Sequence, residues 1–269
     1  MVYRVNSFSI NLFFLRKWQI GSIMWQSQKR LFDGITVKME TTKKIILEGL
    51  GRHDLSELPG RPYDCSFELL AAKPARKRLI MVGFNGSSAD GGFTNAEAVI
   101  NGFNSPCFSN VQAGTEGEWG IKHLANRLQS VPEQLGFRWQ DTVYTNALLM
   151  CSKDALSLKK SAQESAIGSL ERLIEKSMGF FENITVPLCK PELIIAYSNG
   201  MNSHSAARLL LKAFGDGDEP EYISQDLYYS TFCFTARFKQ FDVPVVGIRH
   251  MSRFKPDVQL IKKAWDKRR

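Results

Sequence analysis

Cysteine is scarce and scattered. Cys65, Cys107, Cys151, Cys189 and Cys233 are spread over 269 residues with no C-x-x-C pair, which excludes a zinc ribbon, an iron–sulfur centre and a disulfide framework. An odd number of thiols fits a reducing, cytoplasmic setting. The four histidines, His53, His123, His204 and His250, lack metal-ligand spacing, so neither a metal nor another cofactor is expected. No apolar run approaches the roughly 18 residues of a membrane span, and no membrane partner is expected. There is no G-x-G-x-x-G series and no Gly-Lys-Ser/Thr loop, the usual cradles of a bound nucleotide. Internal repeats and low-complexity linkers are absent too.

What is present is an ordinary globular balance, 43% hydrophobic and 23% charged, with a formal charge of +8. That charge is unevenly placed. Residues 1–38 carry Arg4, Arg16, Lys17, Lys29, Arg30 and Lys38 against Asp33 alone, an excess of +5 that leaves +3 for residues 39–269. Bulk charge therefore does not name the partner. Residues 1–38 are patchily apolar and read as an N-terminal appendage or a misplaced start, with a basic anchor or DNA-binding arm as the functional alternative. Residues 39–269 read as one domain.

Four apolar, β-branched runs punctuate that domain: Arg78–Gly83, Thr142–Leu149, Glu192–Tyr197 and Val243–Ile248. Helical spacing separates them. Trp119, Ile121, Leu124 and Leu128 form one stripe, Leu158 to Phe181 a longer one, and the segment from Met201 to Phe214 a third that Gly215 stops. Pro256 and the basic final turn mark a C-terminal helix. Alternation of this kind predicts an α/β fold, a three-layer αβα sandwich around a four-stranded, mainly parallel sheet. The aromatic run Leu227–Phe238 adds an edge strand. Ligands of such sheets bind beyond the carboxyl ends of the strands, where the chain places Asn85 and Asp90, Asn146, Ser198 and Asn199, and His250.

In that order these segments resemble the uracil-DNA glycosylase superfamily, over roughly Arg78 to Pro256. "GFNG" at Gly83–Gly86 looks like the first motif in its Asn form, typical of the mismatch-specific and single-strand-selective branches. "SPCFSNVQAG" at Ser105–Gly114, "DTVYTNALLMC", "PELIIAYSNGMNSHSAARLL" and "VPVVGIRHMSRF" are similar to the later ones. The resemblance implies that Asn85 holds the attacking water, Phe108 stacks on an extruded base beside Gly83 and Phe84, Asn146 reads the base edge, and His250 donates to the base oxygen. Asp90 is either a general base or a loop cap. Ser87, Ser198, Ser252, Arg253 and Phe254 are implied to meet DNA, with Arg253 and Phe254 as wedges. Lys262, Lys263, Lys267, Arg268 and Arg269 either reach phosphates or form a solvated helix end.

The chain departs from the pattern at Gly86 and Met251, which replace prolines, and in the long stretch from Asn85 to Phe108. Gly86, Ser87 and Ser88 stand where uracil-specific members carry a Tyr that excludes substituents on carbon 5 of the pyrimidine. The expected activity is hydrolysis of the N-glycosidic bond of a flipped-out uracil-like or 5-modified pyrimidine in DNA, by a monomer without a strand-cleaving Lys nucleophile. Repair and defence against phages with hypermodified cytosine are both settings for it. The alternative is a DNA-binding or interaction protein that keeps the fold without catalysis.

Overall fold

The computed structural model describes residues 41–60, 78–87, 92–102, 119–138, 141–154, 156–200 and 205–269. The chain divides between Thr42 and Lys43, and nearly all that follows lies in the second unit. Residues 41–52 are helical (α1). Pro59–Gly60 (β1) pairs antiparallel with Phe93–Thr94 (β3), and helix Asn95–Gly102 (α2) follows directly. Between them runs Leu79–Ser87 (β2), the first strand of the main sheet.

Trp119–Gln134 (α3) leads into Thr142–Ser152 (β4), whose eleven residues are all buried. The long stripe from Leu158 proves to be two helices, Leu158–Glu164 (α4) and Leu170–Phe180 (α5). They are separated because Gly168 adopts φ +80° and Ser169 caps the second by accepting from the Arg172 amide. A π-helical turn, Phe181–Thr185, and helix Val186–Cys189 (α6) carry the chain to Leu193–Ala196 (β5). Helix Ala206–Phe214 (α7) is capped by Ser205. Glu221–Ser224 (β6), Thr231–Arg237 (β7) and Asp242–Ile248 (β8) complete the sheet. The last helix, Val258–Asp266 (α8), starts from an Asp257 cap, so Pro256 precedes the helix rather than lying within it.

The sheet has six strands in the order β4-β2-β5-β8-β7-β6, not the expected four with one edge addition. The first four are parallel and the last two antiparallel. The aromatic run is an interior strand, β7, because β6 pairs along its far side; its side chains Phe232, Cys233 and Phe234 are accordingly fully buried. Helices pack in two groups, consistent with αβα layering. Helix α3 joins α8 through the Phe137–Trp265 ring contact at 5.5 Å, and α5 is continued by Phe181, which stacks on Phe214 of α7 at 6.1 Å. Among the described residues no helix is long and apolar enough to cross a membrane.

Strand β4 ends the sheet, yet every residue in it is buried, so its outer backbone needs partners that are not strands. Side chains supply them. Ser177 Oγ accepts the Leu149 amide at 3.1 Å, and Asn95 Nδ2 donates to the Leu149 carbonyl at 2.8 Å. The same Asn95 nitrogen donates to Leu55 O at 2.8 Å, which ties the α1 segment to the sheet edge. Asn95 is fully buried. Replacing it with Ala strands two buried carbonyls, at about 1–3 kcal/mol each. Asn95→Ala is therefore expected to lose about 2–6 kcal/mol in urea unfolding with an unchanged slope.

Candidate active site

In the parallel part of the sheet, β2 lies between the two strands that follow it in the chain, β4 on one side and β5 on the other. The chain leaves β2 toward β4 and leaves β5 the opposite way, toward β6, opening a crevice at the carboxyl ends of β2 and β5. Among the residues the sequence singles out, Asn85, Asn146, Ser198, Asn199 and His250 lie at that end. β2 is longer than its apolar run suggests, so Asn85 lies within the strand and not in a loop after it.

Register explains the close packing here. Gly83 pairs with Asn146 across β2 and β4, and Val82 pairs with Ala196 across β2 and β5, which brings Tyr197 beside Gly83. A Cβ on Gly83 would lie 2.2 Å from Asn146 Oδ1 and 2.7 Å from the Tyr197 hydroxyl oxygen. Only glycine permits both side chains to close over the strand. Asn146 is 6% exposed, and its Oδ1 shares the space over Gly83 with the Tyr197 hydroxyl.

Asn85 shares the Gly83 face by strand alternation, whereas Phe84 points to the opposite face and offers this one only its backbone. Asn85 Nδ2 donates to Gly86 O and to Ser152 Oγ, both at 2.9 Å, and Ser152 Oγ donates in turn to Asp154 O at 2.7 Å. A carbonyl can only accept, which fixes the nitrogen of the amide on that side and turns Oδ1 the other way. A register irregularity between Asn85 and Ser87 re-aims the strand at this point. The side chain is thus a held acceptor that can orient a water.

His250 follows β8. Its ring meets that of Tyr197 edge-on at 5.9 Å, so Asn146, Gly83, Tyr197 and His250 form one contiguous row. Ser252 fixes the imidazole. Its hydroxyl lies 2.7 Å from Nδ1, and its backbone N–H, a donor only, approaches Nδ1 at 3.3 Å. Nδ1 is therefore the unprotonated nitrogen and Nε2 carries the hydrogen. Loss of water around the ring, then the Arg253 charge, pushes the His250 pKa below the ordinary imidazole value. By surface area His250 is nevertheless exposed, as a donor to an incoming ligand must be.

The loop that carries His250 is tightly built. His250 O accepts from the amides of Arg253 and Phe254 at 3.1 and 3.0 Å. Met251, where the resemblance calls for Pro, is fully buried, and Arg127 of α3 donates to its carbonyl. Ser252, Arg253 and Phe254 are thereby displayed. Together with Ser198, Asn199 and His250 they border a cleft of about 410 Å³. Ser205, the N-cap of α7, also lines it, which directs a helix N-terminus and its partial positive charge toward the opening. Asp90 and Phe108 lie outside the described residues, as does the side chain of Ser87.

Two features escape sequence reasoning. Tyr197 supplies a ring beside Gly83 that no residue following Asn85 supplies; a strand-terminal Tyr in the third run was the signal, unreadable without register. Ser152 orients Asn85 from 67 positions away. Three of the C-terminal cations, Lys267, Arg268 and Arg269, have other partners or surroundings. Lys267 pairs with Glu221, and Arg268 with Asp218 at 3.2 Å and Glu221 at 3.6 Å. Arg268 and Arg269 border a cleft with Glu192 and Asp242, at the amino ends of β5 and β8, the far end of the sheet.

Gly83→Ala is expected to displace Asn146 or Tyr197, at about 1–3 kcal/mol of stability by chemical unfolding. For His250, the folded pKa lies below the unfolded value of 6.5. The neutral site is fully favoured above that unfolded value and is lost as pH falls through the depressed one. Arg253→Gln removes the repelling charge, so the His250 ring resonances should titrate at higher pH in the variant.

Comparison with protein-family models, with curated proteins and with solved structures finds no match to this chain.

Proposed function

We propose that this protein is a DNA glycosylase that hydrolyses the N-glycosidic bond of a flipped-out uracil-like or 5-modified pyrimidine, leaving an abasic site. The observation that carries this reading is the Asn146 amide, seated over Gly83 in the row that leads through Tyr197 to His250. An amide so placed suits a ligand with a complementary polar edge, and a base offers a donor and acceptor side by side. The ordered motifs of the sequence supply the family resemblance.

Each remaining group has work that suits this chemistry. As the bond between the base and the sugar breaks, negative charge gathers on the pyrimidine oxygen and the sugar becomes cation-like. The neutral His250 Nε2–H is a preorganised donor for that oxygen. Asn85 Oδ1, held by its own amide nitrogen through Ser152 and Gly86, orients a water toward the sugar carbon. An amide does not take a proton at neutral pH, so Asn85 acts by position. Arg253 and Phe254, on the rim of the cleft, fill the gap that the extruded nucleotide leaves.

The test is an oligonucleotide assay with uracil, 5-hydroxymethyluracil, 5-hydroxymethylcytosine and its glucosylated form, each in single and double strands. Alkali-labile cuts are expected at one of these bases. Asn85→Ala should slow them by about 100-fold or more and His250→Ala by about 100- to 1,000-fold. DNA binding with no abasic site on any substrate would replace this reading with that of a catalytically silent DNA-binding protein.

A further inference from the structure

Between β6 and β7 the chain exposes three large side chains in succession. Leu227, Tyr228 and Tyr229 are 63%, 60% and 47% exposed. Single exposed apolar residues need no explanation, but a contiguous set marks a contact surface. The loop that presents them is held in shape. Asp226 Oδ1 accepts from the amides of Tyr228 and Tyr229 at 2.7 and 3.2 Å, and Thr231 Oγ1 donates to Tyr229 O at 2.9 Å.

The loop is also tied to the candidate site at both its base and its tip. Asn199, which lines the site cleft, donates from Nδ2 to Ser230 O at 2.9 Å. The Tyr228 ring lies 6.2 Å from that of Phe254, and the Arg249 guanidinium sits 5.2 Å from the same Phe254 ring. Consecutive residues then lead into a neighbouring cleft. Phe254 borders the site cleft, while Lys255 borders a second one of about 410 Å³, shared with Tyr229 and Arg127. That volume falls within the range of about 300–1,000 Å³ that ligand pockets occupy.

Charge selects the occupant. Arg127, Arg249, Arg253 and Lys255 stand along this path. Asp257 also lines the second cleft, but its Oδ1 is turned to the amides of Gln259 and Leu260, as that of Asp226 is to the amides of Tyr228 and Tyr229. Flat rings flanked by cations suit the unpaired strand of a nucleic acid, since every base has a face to stack and every linkage a phosphate. We propose that Tyr228 and Phe254 form a stacking ridge, and that the cleft beyond it, with Tyr229, Arg127 and Lys255, is a second subsite for an unpaired nucleotide adjoining the one in the site cleft. The inference rests on the glycosylase reading and deepens it, because it makes unpaired DNA the preferred substrate.

The experiment uses the full chain and a fluorescent single-stranded DNA of about 16 nucleotides, carrying 2-aminopurine beside the target base. Tyr228→Ala and Tyr229→Ala should each weaken binding by about 5- to 100-fold and relieve the quenching of 2-aminopurine, while Tyr228→Phe binds like the parent. Lys255→Gln should reduce the salt dependence of binding. All three side chains are at the surface or in open clefts, and matching thermal unfolding will confirm that the variants fold. Parent-like affinity and quenching in both Ala variants would overturn the subsite and leave the glycosylase reading intact, as judged by abasic-site formation in the parent. Failure of the parent protein to bind any DNA would overturn both.

Discussion

The missing side chain of Gly83 is the constraint around which the crevice is arranged. Three parallel strands meet there in a fixed register, and Asn146 from one neighbour and Tyr197 from the other close over the same Cα. A parallel ladder holds such a meeting rigidly, since a one-residue slip would send every side chain to the opposite face. From this point the row extends through Tyr197 to His250, and along β2 to Asn85. A site on strand ends inherits the stiffness of the sheet, which suits groups that must be in place before a ligand arrives.

The loop after β8 shows how a substitution can preserve a conformation by other means. Proline would stiffen the turn after His250 by fixing one backbone angle. Met251 instead anchors the turn from within, its side chain wholly buried and its carbonyl held by Arg127 from a separate helix. Stiffness is thus transferred from covalent geometry to packing. The electrostatics of the histidine follow from the same turn, since Ser252 and Arg253 are brought close only because His250 O receives two amides at once.

Much of the scaffold was legible in the sequence, because buried parallel strands are continuous apolar runs and the helices between them keep their spacing. The four parallel strands, helix α3 and the positions of Asn146 and His250 were all readable that way. What was not readable depends on partners distant in the chain. β7 looked like an edge because nothing in its own residues announces β6, whose pattern is short and half-exposed. The stripe from Leu158 kept its period across Ser165–Ser169, so the break at Gly168 was hidden beneath a continuous apolar pattern. Glycine and asparagine are turn formers, so the local sequence places Asn85 in a loop, yet pairing with β4 keeps the strand going through them. Tyr197 and Ser152 matter only through register, which local pattern does not encode.

The termination of the sheet has a bearing on how copies of this protein meet. A strand from a second molecule can be added only where a row of amides and carbonyls is left over. At β4 the Leu149 pair is consumed by Ser177 and Asn95, and at β6 a strand of four residues is bound to the last helix through Glu221. The β4 margin is thus occupied by parts of the same chain, and at β6 the strand is too short to offer a long template. Edge-to-edge growth of the native sheet is disfavoured accordingly.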